Sequence, residues 1–349
     1  MQSVLSGIMA VFGMSVAAWP SQLYLATDLG SDVTAYAINN SGDVVGGANS
    51  RAFLYHNGSL NIIDPGPSVA TGINNSGQVV GYDSNAAFLY SSGALTALPL
   101  PSPGGLSPSA APIRINSSGD IAANVSGAYC GGPTPKSVIY RNGIATCLNV
   151  GPGFIAAKGI NDSGVVVGIM FDFWPFINAD GGLNMQIPGF FDGSANAINN
   201  SVQVVGSGAW VIAGSSGRGA FLYSDGVVTD LNALGGFTSS SANAINLAGV
   251  VVGTGDGFAF LYADGAFANL NALLANDVGT SLTSATGIND SGQIIASGAN
   301  GHGFLLTPAA ASVPEPASGV LFALGILLLA VTSQSGAAFR WRRSSIEDC

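Results

Sequence analysis

A unit of about 42 residues occurs seven times along this chain of 349 residues. Each copy contains an Ile-Asn pair, and successive pairs are 35, 42, 45, 38, 47 and 43 residues apart. The residue four positions before the Asn is Ala in six copies and Pro112 in the third, and the residue seven positions after it is always Gly or Ala. The repeat asparagines are Asn39, Asn74, Asn116, Asn161, Asn199, Asn246 and Asn289. A repeat of this length restricts the chain to architectures built from one supersecondary unit, such as solenoids and propellers.

Each unit contains four short apolar stretches separated by turn residues. Asn-x-Ser-Gly follows the first stretch in five copies, and it predicts a turn because Asn bonds its own backbone and Gly adopts a positive φ. A Val-Val-Gly stretch and an Ala-Phe-Leu-Tyr block, as at residues 52–55 and 220–223, are the second and third predicted strands. An Asn-Gly, Ser-Gly or Asp-Gly dipeptide then predicts a tight hairpin to a fourth strand, such as residues 227–231. Neighbouring residues in the aromatic block are all apolar, which predicts sheets covered on both faces.

Four-stranded units of this length predict an all-β, seven-bladed β-propeller over residues 21–312, since propeller blades are ~40–45 residues long. The seventh unit ends after residues 303–306 without a fourth strand, whereas residues 24–29 resemble the fourth strand at 228–231. We therefore expect the N-terminal strand to complete the seventh blade and close the ring. The alternative, an open solenoid, needs polar capping repeats, and the sequence contains none that we recognise.

Composition excludes several classes of protein. Charged residues make up 8% of the chain and hydrophobic residues 48%, which is enough for a large core and argues against disorder. Nine Lys and Arg against 19 Asp and Glu give a net charge of −10. Nucleic acid is therefore not an expected partner, since binding phosphates requires clustered basic residues.

Both ends of the chain have the composition of targeting segments. Residues 1–20 are apolar and contain Val16-Ala17-Ala18, which predicts a signal peptide cleaved before Trp19. No Lys or Arg precedes the apolar run, so the alternative is a buried N-terminal strand. At the other end, residues 317–338 are free of charge and precede a basic cluster at 340–343. These 22 residues can form a transmembrane helix, with the basic cluster on the cytoplasmic side.

The C-terminal residues 313–343 resemble the PEP-CTERM sorting signal of Gram-negative bacteria. The matching residues are Val313, Pro314, Glu315, Pro316, Arg340, Arg342 and Arg343. The resemblance implies transient anchoring in the inner membrane and cleavage by an exosortase, an integral-membrane cysteine protease. It also implies release to the exterior or the cell surface, in association with exopolysaccharide and biofilm.

The repeat motifs are similar to the HAF repeats of bacterial extracellular proteins. The similarity covers residues 22–308 and rests on the Ala-Phe-Leu-Tyr, Asp-Gly-x-x-x-Asp-Leu and Ile-Asn-x-x-Gly-x-Val-Val-Gly motifs. The His of the family is missing from most copies, and His302 lies nearest its expected place. This resemblance implies secretion and a propeller-like body, without an established reaction.

The candidate chemical groups have two interpretations each. The seven repeat asparagines could form a polar rim for sugars or a cation, or serve only as turn formers, which we favour. Carboxylates could act in pairs as in glycosidases, but they are spread over equivalent turns, and no calcium loop, zinc motif, hydrolase elbow or phosphate loop is present. We expect Phe171, Phe173, Trp174 and Phe176 to fill space between blades rather than stack on a sugar. The sequence therefore predicts no catalytic, cofactor-binding or metal-ligating residues.

Cys130 and Cys147 both lie in the third unit, whereas Cys349 lies in the tail that cleavage would remove. A disulfide between the first two is reasonable in an oxidising compartment, and the alternative is two free thiols.

These features together predict a secreted or surface-associated, non-enzymatic protein with a structural or adhesive role in an exopolysaccharide matrix. Its loops at 99–108 and 171–188 would present a surface to a glycan or protein. The alternative function is an extracellular carbohydrate-active enzyme, a glycosidase or lyase, with Asp catalysts at the channel mouth.

Overall fold

Seven four-stranded antiparallel sheets account for the strands in the described part of the chain. The structure is a computed structural model that describes residues 22–309 except 84–85, 99–109, 126–129, 131–135, 149–152, 172, 180–184 and 213. The chain divides into two compact units, Met1–Ala309 and Ala310–Cys349. The predicted signal peptide at 1–20 and sorting signal at 313–343 lie outside the described residues. Of the described residues, none forms a helix with the length and apolarity that a bilayer crossing requires.

The strands follow the predicted repeat. They are β1 (Tyr24–Ser31), β2 (Val33–Ile38), β3 (Val44–Ala48), β4 (Arg51–His56), β5 (Ser59–Ile62), β6 (Ser68–Ile73), β7 (Val79–Asp83), β8 (Ala87–Ser91), β9 (Ala94–Ala97), β10 (Ala110–Ile115), β11 (Ile121–Val125), β12 (Lys136–Arg141), β13 (Ile144–Cys147), β14 (Ile155–Ile160), β15 (Val166–Met170), β16 (Trp174–Asn178), β17 (Met185–Gln186), β18 (Phe190–Ile198), β19 (Val204–Ile212), β20 (Ser215–Ser224), β21 (Val227–Asp230), β22 (Ser240–Ile245), β23 (Val251–Gly255), β24 (Phe258–Ala263), β25 (Ala266–Asn269), β26 (Leu282–Ile288), β27 (Ile294–Gly298) and β28 (His302–Pro308). Within the described residues, two single-turn helices follow outer strands, an α-helix α1 at Leu231–Gly235 and a 3-10 helix at Leu270–Leu273.

Blades one to six are formed by consecutive groups of four strands, from β2–β5 to β22–β25, and each blade keeps chain order. The first strand of every blade contacts the first strand of the next, and β26 of blade seven contacts β2 of blade one. These contacts run through all seven blades and return to the start. The first strands therefore surround a central channel, and the all-β, seven-bladed prediction is confirmed.

The ring closes through the N-terminal strand, as predicted. β1 lies at the edge of the sheet formed by β26, β27 and β28. It pairs antiparallel with β28, with Thr27 opposite Leu305 and Ala26 opposite Leu306. Residues from the two ends of the repeat region thus share one blade, which holds the first and last units together.

The core lies between the blades rather than within any one of them. One cluster combines Ala37, Val45 and Ala52 of blade one with Ala70 and other apolar residues of blade two. The aromatic block supplies the largest buried side chains, including Phe53, Phe221, Phe260 and Phe304. Both faces of the sheets are covered by this packing, which accounts for the low charge of the sequence.

Two features of the repeat have direct structural causes. The hairpin dipeptide Asn57-Gly58 has φ values of 50° and 79°. A two-residue type I′ hairpin turn requires a positive φ at both of these positions. The small residue seven positions after each repeat Asn meets the neighbouring strand. At Gly253, a Cβ would lie 2.1 Å from the carbonyl oxygen of Ser241, so only glycine fits there without a shift of the neighbouring strand.

Candidate functional site

The seven repeat asparagines form a closed circle of hydrogen bonds around the channel. In each blade the Asn Nδ2 donates to the backbone carbonyl oxygen of the equivalent Asn in the next blade, over 2.8–3.2 Å. Asn289 of blade seven donates to Asn39 of blade one at 2.8 Å and completes the circle. The side chains are buried, with exposed fractions of 3–6%.

The Oδ1 atom of each repeat asparagine accepts hydrogen bonds from the turn that follows. In blade four, Asn161 Oδ1 accepts from the backbone N–H groups of Ser163 at 3.1 Å and Val165 at 2.9 Å. Donor and acceptor are thus both engaged by the protein itself. These asparagines join the blades and form turns, and their amides are buried and bonded to the protein itself.

The residues directly after these asparagines form the channel mouth, which encloses about 210 Å³. Two of them carry carboxylates that bond to the neighbouring blade. Asp162 accepts from Ser117 N at 2.8 Å and Asn200 Nδ2 at 2.7 Å, and Asp290 accepts from Leu247 N and Asn40 Nδ2, each at 2.9 Å. The mouth ring consists of Asn40, Asn75, Ser117, Asp162, Asn200, Leu247 and Asp290.

Hydrogen bonding sets the ionisation state of Asp162 in the mouth ring. Burial acts to raise the pKa of Asp162, but hydrogen bonds from Ser117 and Asn200 outweigh it, and the pKa lies below its ordinary value. The carboxyl is therefore ionised at neutral pH. It is an acceptor for hydroxyl groups and not a proton donor.

Further along the channel, the first strand of every blade contains a β-bulge. The residue three positions before the repeat Asn is left out of the strand register in all seven blades. A bulge re-aims the side chain of the extra residue, and here that residue differs between blades although its neighbours are nearly constant. The bulge ring consists of Tyr36, Thr71, Ile113, Lys158, Asn196, Asn243 and Thr286.

A second cavity of about 150 Å³ lies at this level and is lined by most of the bulge ring together with Arg114. The isoleucines that precede the repeat asparagines separate it from the mouth, since all seven line the mouth and all but Ile115 also line this cavity. The channel therefore has two polar levels with an apolar belt between them. The belt consists of Ile38, Ile73, Ile115, Ile160, Ile198, Ile245 and Ile288.

Two cations belong to the inner cavity. Arg114 Nη1 donates to the carbonyl oxygens of Thr71 at 2.8 Å and Ile113 at 2.9 Å, and Lys158 Nζ donates to Asn196 Oδ1 at 3.2 Å. Burial lowers the pKa of both groups. Within the described residues neither forms an ion pair with a carboxylate.

The remaining predicted residues lie away from the channel cavities. The Sγ atoms of Cys130 and Cys147 are 2.01 Å apart in a disulfide within blade three. Phe171 and Trp174 pack edge to face at 5.5 Å, and Phe176 is buried, whereas Phe173 is exposed. His302 pairs with Asp28 at 2.8 Å, across the seam that closes the ring. In the described part of the chain, no three His, Cys, Asp or Glu side chains converge to hold a metal ion.

The comparisons with known proteins identify a fold but no relative. No protein-family profile and no curated protein sequence matches the chain. Among solved structures, two of the extracellular domain of BT4673 from B. thetaiotaomicron match with TM-scores of 0.53 and 0.54 and identities of 13% and 14%. These matches cover 82% and 83% of this chain but only 40% of those chains. A structure described as YCF48 bound to D1 peptide matches with a TM-score of 0.53 and 11% identity, over 84% of this chain and all of that one.

This chain is a seven-bladed β-propeller. At such low identities the matches describe the fold alone, and they assign no ligand to the channel. The sequence predicted the asparagine ring but missed the bulge ring. The signal that could have revealed it is position-specific variation, because one position in seven otherwise similar strands holds Tyr, Thr, Ile, Lys or Asn.

Proposed function

We propose that this protein is a secreted, non-enzymatic propeller that binds a glycan of the extracellular matrix at its channel mouth. Residues 1–20 direct export. Residues 313–343 act as a PEP-CTERM sorting signal, with 317–338 as a transient anchor in the inner membrane of a Gram-negative bacterium. An exosortase-type protease removes the tail, and the propeller then has a structural or adhesive role among exopolysaccharides in a biofilm.

The disulfide supports the export half of this proposal. Cys130 and Cys147 are bonded within blade three, and such bonds persist mainly in oxidising compartments outside the cytoplasm. The BT4673 structures, which share the fold, are themselves of an extracellular domain. The loops proposed to present a surface lie partly outside the described residues, because 99–109, 172 and 180–184 are not described.

The mouth ring is the observation that carries the binding half. Its amides and carboxylates are the groups that bind sugar hydroxyls, and hydrogen bonds between blades already fix them in place. A preorganised polar surface loses little side-chain entropy when a ligand binds. A glycosidase requires one carboxyl that stays protonated as the general acid. The pKa of Asp162 lies below its ordinary value, so this carboxyl does not fit that role.

Binding and turnover can be separated in one experiment on the secreted protein. Exopolysaccharide from the producing strain is immobilised, bound protein is quantified, and released reducing ends or unsaturated products are measured in parallel. We expect saturable binding without release of products, and at least a tenfold loss of affinity in the double variant Asn75→Ala/Asn200→Ala. Asn61→Ala, on the exposed outer strand β5, is the matched control and should bind as the wild type does.

Product release that disappears in Asp162→Asn/Asp290→Asn would contradict the proposal and support the carbohydrate-active enzyme instead. The sorting half is tested separately by the intact mass of the mature protein from strains with and without the exosortase. Loss of about 30 C-terminal residues only when the protease is present is the expected result. A mature mass that retains residues 317–349 in both strains would refute it.

A further inference from the structure

We propose that the inner cavity of the channel is a binding site for a small hydroxylated carboxylate, with Arg114 and Lys158 holding its carboxylate group. The proposal concerns a different level of the channel from the mouth and does not depend on the glycan-binding proposal. It rests on the placement, surroundings and accessibility of these two cations. A hexuronate is one molecule of this class.

The propeller framework does not require a cation at either position. Arg114 occupies the position two residues before the repeat Asn, where the other six blades have Ala37, Gly72, Gly159, Ala197, Ala244 and Gly287. The position is crowded, since a Cβ added to Gly72 would lie 3.1 Å from the Cα of Arg114. A large basic side chain here departs from the packing rule that every other blade follows.

Lys158 occupies the bulge position of blade four, where the residue is left out of the pairing between β14 and β15. Equivalent bulge residues make neutral bonds between blades. Asn243 Nδ2, for example, donates to Ala285 O at 2.9 Å, and Thr286 Oγ1 donates to Ala35 O at 3.0 Å. A neutral residue thus fulfils the structural role in other blades, so the link between blades does not require the charge of Lys158.

The charge balance around the cavity differs from that of the rest of the protein. The chain has a net charge of −10. In the described residues, Arg141 forms an ion pair with Asp120 and Arg218 with Asp192, each at 3.0 Å. Among the described residues, Arg114 and Lys158 bond only neutral oxygens, and no carboxylate lines their cavity. Both residues are partly buried. A charge that is removed from water without a counter-charge is costly, and a bound anion would supply that counter-charge.

The rest of the cavity indicates the size and polarity of the ligand. Its volume of about 150 Å³ is comparable to cavities of ~150 Å³ that accommodate a six-membered ring. Asn196, Asn243 and Thr286 line it with amide and hydroxyl groups, which suit a hydroxylated body rather than an aromatic one. Tyr36 at its edge is 41% exposed, so the cavity is open to solvent.

The test is calorimetric titration of the intact secreted protein with sodium glucuronate, glucose and inorganic phosphate at low ionic strength. We expect glucuronate to bind at least tenfold more tightly than glucose, and Lys158→Met and Arg114→Gln each to weaken glucuronate binding at least tenfold. Arg51→Gln, which removes an equal charge at an exposed position of β4, should leave the affinity unchanged. Thermal unfolding of each variant establishes that it is folded, and Lys158→Met alone suffices if Arg114→Gln does not fold.

The methyl glycoside of glucuronate distinguishes the two sources of the ligand. Binding equal to that of the free acid supports recognition of a uronate at the end of an acidic polysaccharide, whereas binding of the free acid alone supports capture of a small metabolite. Equal affinities for glucuronate and glucose would overturn the proposal. So would glucuronate binding that survives both substitutions, and tighter binding of phosphate would overturn the assignment to a carboxylate.

Discussion

Replacing one asparagine of the circle tests whether hydrogen bonds between blades stabilise the propeller. Asn161→Ala removes the Nδ2 bond to Asn199 O at 3.2 Å and the Oδ1 bonds from Ser163 N and Val165 N. Asn199 O keeps a second donor, Val202 N at 3.1 Å. The bond to Val165 N is buried, so its N–H group is left without an acceptor.

The magnitude follows from these contacts. A net hydrogen bond contributes about 1 kcal/mol, and a buried donor left without a partner costs about 1–3 kcal/mol. We therefore expect Asn161→Ala to lower the free energy of unfolding by about 2–4 kcal/mol. Asn61→Ala, on the exposed strand β5, is the control and should stay within about 0.5 kcal/mol of the wild type.

Asn161→Asp isolates the bond between blades, because it keeps both acceptor bonds and replaces only the donor. The new carboxylate oxygen would face Asn199 O at the distance of the lost bond. Burial and this contact act to raise the pKa of the carboxyl, whereas the two retained N–H bonds act to lower it. We expect the rise to prevail, because only the protonated acid avoids the contact between two oxygen acceptors. The protonated acid can donate to Asn199 O, so the native state binds the proton more tightly than the unfolded state. Stability relative to the wild type is therefore highest near pH 4, the ordinary pKa of Asp, and falls as the pH rises through the raised pKa.

Urea-induced unfolding, followed by tryptophan fluorescence between about pH 4 and pH 8, measures both effects. The expected outcome is a large loss for Asn161→Ala at every pH and a loss for Asn161→Asp that grows with pH. If both variants unfold within about 0.5 kcal/mol of the wild type, or if the stability difference for Asn161→Asp does not change with pH, the circle does not stabilise the ring.

Three further substitutions have expected outcomes in the same unfolding assay. Cys147→Ser removes the disulfide between two cysteines 17 residues apart and should lower the free energy of unfolding by about 3 kcal/mol. A variant as stable as the oxidised wild type would contradict this. Lys158→Met should stabilise the ligand-free protein at neutral pH, because burial lowers the pKa of Lys158 and the native state therefore disfavours the charged lysine. Wild-type stability rises between that lowered pKa and the ordinary lysine value, so the difference should shrink at alkaline pH, and no gain at neutral pH would refute the reasoning. Gly253→Ala should cost about 2 kcal/mol through overpacking, since its Cβ would lie 2.1 Å from Ser241 O, and an unchanged midpoint would disprove the close approach.

The sequence predicts the framework of this fold well, because framework positions recur with the repeat. Ala-Phe-Leu-Tyr recurs because its Phe fills the space between blades, as Phe53 and Phe260 do. The closing strand was predictable for the same reason, since residues 24–29 resemble a fourth strand that the seventh unit lacks. The repeat pattern therefore predicts the positions that have the same structural role in every blade.

The inner cavity was not predictable in this way. Arg114 and Lys158 lie 44 residues apart in blades three and four, and the packing of these neighbouring blades brings them to one cavity. The bulge that exposes Lys158 to the channel is a shift in strand pairing, which the residue pattern alone does not indicate. The proposed binding site depends on positions where the repeats differ, and only a comparison of the seven copies position by position could have singled them out.

Closure of the ring by the N-terminal strand is the central structural claim, and strand complementation tests it most directly. A variant lacking residues 22–31 should lose the cooperative unfolding transition, because β28 loses its edge partner and blade seven is left with three strands. A synthetic peptide of residues 22–31, added in trans, should restore the transition with saturable binding. A truncated protein that unfolds with the midpoint and cooperativity of the intact chain, and that ignores the peptide, would contradict a ring closed in this way.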